Sequence, residues 1–229
     1  MISIKDLKIS YTQNRNVINE LSLNLSEGDI HGIVGLNGAG KTTLLNAIYR
    51  LKKIDNGEIK HNEKPLTKKV IAYLETENFF YANITGIEYL SLFKNDEFDT
   101  FKWNELFGLP LDELIDTYSS GMKKKLALLG VLKQKKPIMI LDEPFNGLDI
   151  ETSRIVRSVL LKLKEKGKTI IVTSHILETL TNLCDRIHYL KNGNIQFSKE
   201  QNEFSEFEKE LFESIENKNS GLISELLAD

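Results

Sequence analysis

Four residues at fixed intervals carry the first chemical signal of this chain: Gly35, Gly40, Lys41 and Thr42, within the stretch GLNGAGKTT. A glycine, four free positions, a second glycine, a lysine and a hydroxyl residue form the spacing of a phosphate-binding loop. Glycines at 35, 38 and 40 are expected to take backbone conformations closed to residues with a Cβ, turning N–H groups toward phosphate oxygens. Lys41 would add a mobile charge for the outer phosphates, and Thr42 a hydroxyl for Mg²⁺. The second signal is Asp142 and Glu143, directly after the apolar run IMIL. At a strand's C-terminal end, one carboxylate can hold Mg²⁺ through its waters while its neighbour polarises an attacking water. The glycine stretch alone would also suit a turn before an ordinary helix, and an Asp-Glu pair alone says little. Together they supply the phosphate cradle, metal and positioned water that phosphoryl transfer needs.

The flanking elements must position these groups. Ile30, Ile33 and Val34 predict a buried strand ending at the loop, and TTLLNAIYRL predicts a helix with Leu44, Leu45, Ile48 and Leu51 on one face. Alternation from Met1 to about Leu25 predicts antiparallel strands, and DNGEIK and KVIAYL, within residues 55–74, continue that group. From Asn83 to Lys136 the pattern turns helical, closed by Pro137. IMIL and TIIVT, separated by a helical stretch from Ile150 to Lys166, resemble parallel strands covered on both faces. Asn192-Gly193 between two apolar runs predicts a hairpin. The fold class expected is α/β: a P-loop NTPase core with an N-terminal antiparallel β subdomain and an inserted α-helical subdomain at about 77–136.

That domain is expected to span 1–198. Residues 199–229 form a tail of nine acidic residues against three lysines, with Phe204, Phe207, Leu211 and Ile215 at helical spacing. An acidic amphipathic helix is expected there, packed on the domain by one face. Every phosphate-handling motif precedes it, so it is expected to be dispensable for nucleotide binding.

The 229 residues suffice for a full core, and the formal net charge of -3 gives no electrostatic case for nucleic acid. One cysteine, Cys184, excludes an intrachain disulfide and suits a reducing compartment. No apolar run approaches the roughly 18 residues of a membrane span, and MISIKDLKIS lacks a signal-peptide core. The expected localisation is cytoplasmic, with any membrane contact made through a partner.

The order GLNGAGKT, YSSGM, ILDEP, NGLD and TSH resembles the ATP-binding cassette of ABC transporters from Met1 to about Phe197. Tyr118 to Met122 occupies the place of the family's signature, Leu-Ser-Gly-Gly-Gln in its commonest form. Ser119, Ser120 and Gly121 also lie at the start of a predicted helix, where a hydroxyl and free N–H groups make either a second anion site or a plain N-cap. The resemblance implies that ATP contacts Gly35, Asn37, Gly38, Ala39, Gly40, Lys41, Thr42 and Thr43. It further implies that Thr42 and Asp142 serve Mg²⁺, that Glu143 is the general base and that His175 senses the γ-phosphate. Tyr11 matches the residue that stacks on adenine, with Val17 flanking the ring; an ordinary surface tyrosine is the alternative. Ser119, Ser120, Gly121 and Met122 would face the ATP of a second cassette, in a homodimer or heterodimer, and Asp149 would touch that partner.

Three departures accompany the resemblance. Thr76 stands where the family places a glutamine that touches Mg²⁺, Ser120 replaces the first signature glycine, and Met122 replaces the signature glutamine. Weaker or conditional dimer closure is the expectation. The lysines from Lys123 to Lys125 are expected on a solvated helix face. Phe79, Phe80, Tyr81 and Tyr89 are expected either to line the groove for a transmembrane permease on a separate chain or to pack in the core. The short single cassette resembles those of drug, peptide or lipid exporters. Soluble relatives acting on ribosomes or DNA are the alternative, but they usually pair two cassettes in one chain or carry long insertions.

Overall fold

The computed structural model describes residues 1–12 and 15–209. The alternating N-terminus forms β1 (Ile2–Thr12) and β2 (Arg15–Leu25), an antiparallel pair whose isoleucines and leucines are buried. The wholly buried β3 (Ile30–Val34) leads into α1 (Lys41–Ile48). Next come β4 (Asn56–His61) and β5 (Lys64–Pro65), completing one sheet in the order β2-β1-β4-β5. Then β6 (Ile71–Leu74) leaves that sheet. Sequence alternation groups KVIAYL with the antiparallel strands, but its Ile71 faces one core while Ala72 and Leu74 face another. A strand buried on both faces suits a parallel sheet.

The insertion contributes α2 (Gly86–Ser91), α3 (Thr100–Asn104) and α4 (Ser120–Lys133). The remaining elements are β7 (Ile138–Leu141), α5 (Ile150–Glu165), β8 (Thr169–Ser174), α6 (Leu177–Thr181), β9 (Arg186–Lys191) and β10 (Asn194–Glu200). They build a second sheet, β10-β9-β3-β8-β7-β6, parallel from β9 to β6. The edge strand β10 is antiparallel to β9 through Asn192 and Gly193, at φ 51° and 76°, as a tight hairpin turn requires.

Strand alternation decides where the polar residues emerge. Ile33, Ile140 and Ile171 pack toward α1 and the antiparallel sheet, whereas Val34, Leu141 and Val172 pack toward the helices on the other side. Register pairs Leu141 with Val172, so the next residues, Asp142 and Thr173, come level on the α1 face. The Asp142 N–H extends the ladder to Leu74 O at 2.9 Å.

Two expectations need correction. Leu51 is half exposed and lies beyond α1, because Arg50 at φ 64° ends the helix. The boundary after 198 falls inside β10, and Phe204 and Phe207 are buried, with the Phe207 ring 5.1 Å from Phe197. The burial of Phe204 and Phe207 agrees with a tail packed on the domain by one face, so only the boundary moves; Leu211 and Ile215 lie outside the described residues.

Between the sheets, His31 and His188 are buried with their rings stacked. His31 Nε2 lies 3.0 Å from Ser26 O, so that nitrogen carries the proton. His31 Nδ1 then accepts from His188 Nε2 at 3.2 Å, and His188 Nδ1 accepts from the Ser198 hydroxyl at 2.7 Å. Burial, reinforced by His31 and Arg186, holds His188 at about 3, well below 6.5.

Two outcomes follow from this packing. Phe207→Ala should cost about 3–5 kcal/mol in urea unfolding; an unchanged midpoint would contradict the buried placement. Because folding depresses the His188 pKa, the unfolded chain takes up a proton below pH 6.5 that the folded one refuses. Stability should thus fall as pH drops from 6.5 toward 3, by about 2 kcal/mol at pH 5 for one such group. His188→Gln should flatten this slope, whereas a parent equally stable at pH 7.5 and 5 would refute the assignment.

Candidate active site

The loop after β3 closes on itself through Ala39 N–H to Leu36 O at 3.0 Å and enters α1 at Gly40. Gly38 and Gly40 have φ 81° and 108°, as expected. Gly35 is needed for another reason: its φ is not positive, but a Cβ there would lie 2.4 Å from Leu190 O. Gly40 offers no side-chain cap, so the first N–H groups of α1 face outward as an anion site. Lys41 is buried along the loop, its Nζ donating to Gly35 O at 2.7 Å.

A cavity of 490 Å³ opens over this loop. Tyr11, Val17, Asn37, Gly38, Ala39, Gly40, Lys41, Thr42, Thr43, Thr76, Asp142 and Glu143 line it. Tyr11 is exposed at the rim, with its hydroxyl 3.4 Å from Thr43 Oγ1 and Lys52 Nζ 3.9 Å from its ring centroid. On the floor, Thr42 Oγ1 donates to Asp142 Oδ2 at 2.8 Å, which leaves the hydroxyl's lone pairs available. These are hard oxygen donors of the kind Mg²⁺ prefers, and the fit is good.

Asp142 is buried, and its other oxygen accepts from Thr173 Oγ1 at 2.5 Å. Glu143 follows at φ 51°, left-handed for a residue that precedes a proline. Its N–H donates to Thr173 Oγ1 at 3.0 Å, and its Oε2 lies 3.0 Å from His175 Nδ1. With Nδ1–H bonded to the carboxylate, Nε2 of the half-exposed His175 is free to face a ligand. Outward N–H groups, two oxygen donors able to take a cation and a carboxylate oriented by an imidazole thus lie around one opening.

The other expected residues lie outside the cavity. Ser119 caps α4, its Oγ accepting the Met122 N–H at 3.2 Å, with Ser120 and Gly121 in the same first turn. A Cβ on Gly121 would approach Gly147 O at 3.1 Å, so the signature turn abuts the NGLD loop. Asp149 caps α5 through the Thr152 N–H and hydroxyl, both at 2.7 Å, and pairs with Lys125 at 3.6 Å. Those Thr152 bonds hold its carboxyl down at about 2.

Lys124 corrects the expectation of a solvated lysine face. It is buried, on the same side of α4 as Leu128 and Val131, and its Nζ donates to Thr76 O at 3.2 Å and Glu75 O at 3.4 Å. Burial lowers its pKa, against the opposing pull of Asp142 and Glu143. The expected aromatic groove also divides. Phe79 and Tyr81 are exposed edge to face, while Phe80 and Tyr89 pack on the core. Sequence reasoning gave Thr173 no role and placed Lys124 in solvent; for the first, the available signal was its position opening TSH at the end of the strand run TIIVT.

The family model for ABC transporters matches residues 18–146. The chain is 32% identical over 203 residues to the uncharacterized ABC transporter ATP-binding protein MJ1023 of Methanocaldococcus jannaschii, covering 80% of this chain and 71% of that one. It is 30% identical over 230 residues to the bacitracin transport ATP-binding protein BcrA of Enterococcus faecalis, covering 91% and 74%. Among solved structures, an ATP-binding subunit of an ABC transporter superposes with a TM-score of 0.81 at 27% identity, covering 87% of this chain and 90% of that one. By sequence and by fold alike, the chain belongs to the ABC transporter family as one of its ATP-binding cassettes.

Proposed function

We propose that this chain binds and hydrolyses ATP to drive a separate transmembrane permease, by head-to-tail dimerisation of two cassettes. The observation that carries the reading is the convergence of Lys41, Asp142 and Glu143 on the cavity beside the phosphate-binding loop, with His175 bonded to Glu143 from behind. Loop N–H groups and Lys41 hold the β- and γ-phosphates, and Tyr11 stacks on adenine with Val17 at its edge. Thr42 and Asp142 would hold Mg²⁺, with Thr76 facing the same side; the ion, when bound, neutralises charge on the phosphate oxygens. Glu143 takes a proton from the water that attacks the γ-phosphorus as the bond to the ADP oxygen breaks. His175 keeps that carboxylate in place and offers Nε2 to the γ-phosphate.

The signature turn, Ser119 to Met122, is absent from the lining of its own chain's cavity, which supports a site completed by a second cassette. Asp149 would meet the partner at that interface. The exposed Phe79 and Tyr81 supply apolar surface for the permease. No helix among the described residues is long and apolar enough to cross a membrane, so membrane association at the cytoplasmic face would come through that partner. Likeness to a bacitracin transport cassette supports export of a drug, peptide or lipid.

If two chains complete each site, the Mg²⁺-dependent rate should rise more steeply than linearly with protein concentration until dimerisation saturates. Strict proportionality at the lowest measurable concentrations would argue against the shared site. Lys41→Ala should weaken ATP binding, measured by fluorescent-nucleotide titration, and leave a monomer by size-exclusion chromatography with Mg-ATP. Parent-like affinity in that variant would remove Lys41 from the phosphate site.

A further inference from the structure

The hydroxyl that opens the TSH stretch, to which no role was assigned above, touches both carboxylate residues at once. Thr173, fully buried on β8, donates to Asp142 Oδ1 at 2.5 Å and accepts the Glu143 N–H at 3.0 Å. A hydroxyl has one proton and two lone pairs, so its proton is committed to Asp142 while a lone pair serves the Glu143 amide. Asp142 Oδ2 is meanwhile taken by Thr42. The carboxylate is therefore held from two sides, by α1 and by β8. Glu143 sits in a left-handed conformation before Pro144, which persists only where its surroundings over-determine it. The Thr173 oxygen is the anchor of its N–H.

We propose that Thr173 is a positioning residue whose hydroxyl aims Asp142 at the divalent cation and fixes the backbone turn that presents Glu143. The inference rests on the nucleotide-site reading above and adds to it a residue that contacts neither nucleotide nor metal. Its strand neighbours show why the position is selective. Ile171, on the same face, packs in an apolar core, so valine at 173 would suit the packing but strip both polar partners.

The test uses the full chain with Mn²⁺ as the probe, its binding followed by electron paramagnetic resonance in the presence of ADP. Thr173→Val keeps the shape and removes the hydroxyl; Thr173→Ser keeps the hydroxyl. Loss of an outer-shell partner typically costs about 10–100-fold in metal affinity, and that loss is expected for Thr173→Val, with Thr173→Ser close to the parent. ATP turnover should follow as a lower kcat with KM little changed. A hydroxyl that serves only stability would lower the melting temperature and leave the Mn²⁺ affinity of the folded protein unmoved. Equal Mn²⁺ affinity in parent and Thr173→Val overturns the inference alone, as does a Thr173→Ser as weak as Thr173→Val. A parent that binds no Mn²⁺ with ADP overturns the nucleotide-site reading and this inference with it. Should Thr173→Val fail to fold, Thr173→Ala removes the same hydroxyl and gives the same comparison.

Discussion

The register of β7 against β8 is the constraint on which the site depends. Pairing Leu141 with Val172 brings Asp142 and Thr173 level and turns both toward α1, where Thr42 waits. A slip of one residue would turn Asp142 toward the helical core, where Leu141 and Val172 now pack, and leave a carboxylate without donors. Apolar burial on both sheet faces enforces the register, because every residue of β7 and β8 is buried. The ordinary hydrophobic core thus fixes the chemistry to within one hydrogen bond.

A second set of contacts ties the phosphate loop to the far edge of the sheet. The β9–β10 turn donates Gly193 N–H to Ala39 O at 3.3 Å and accepts the Asn19 N–H at 3.0 Å. Gly35 lies against Leu190 O so closely that no side chain fits. The loop is therefore clamped between β9 and β2 before any ligand arrives, which lowers the ordering cost of gripping an anion. On the opposite flank, Lys124 ties α4 to the loop carrying Thr76. The family's glutamine is missing there, but this bond still links the helical insertion to the Thr76 side of the cavity.

Motif spacing and periodicity made the strand–loop–helix unit, the parallel strands and the hairpin legible before any coordinates, because each rests on local rules. KVIAYL was misassigned because strand type is a property of its neighbours: alternation cannot say which sheet supplies them. Leu51 failed because Arg50 adopts a left-handed conformation that side-chain periodicity does not encode. Lys124 failed for a tertiary reason, since composition marks lysine as solvated and only the packed helix shows carbonyls waiting for it. The boundary at 198 missed for a similar reason, since β10 runs on to Glu200 and the Phe207 ring meets Tyr189 and Phe197 only once that strand has formed.

The central claim is that the Glu143 carboxylate, held by His175 and by its own strained turn, takes the proton from the attacking water. Glu143→Gln keeps size and polarity but loses the basic charge, so single-turnover ATP hydrolysis at saturating Mg-ATP isolates that role. The account predicts a rate lower by about 10²–10⁴-fold with ATP still bound. It also predicts accumulation of the ATP-bound dimer, because the state that hydrolysis normally drains persists. A Glu143→Gln protein that hydrolyses bound ATP at near the parent rate would contradict the account.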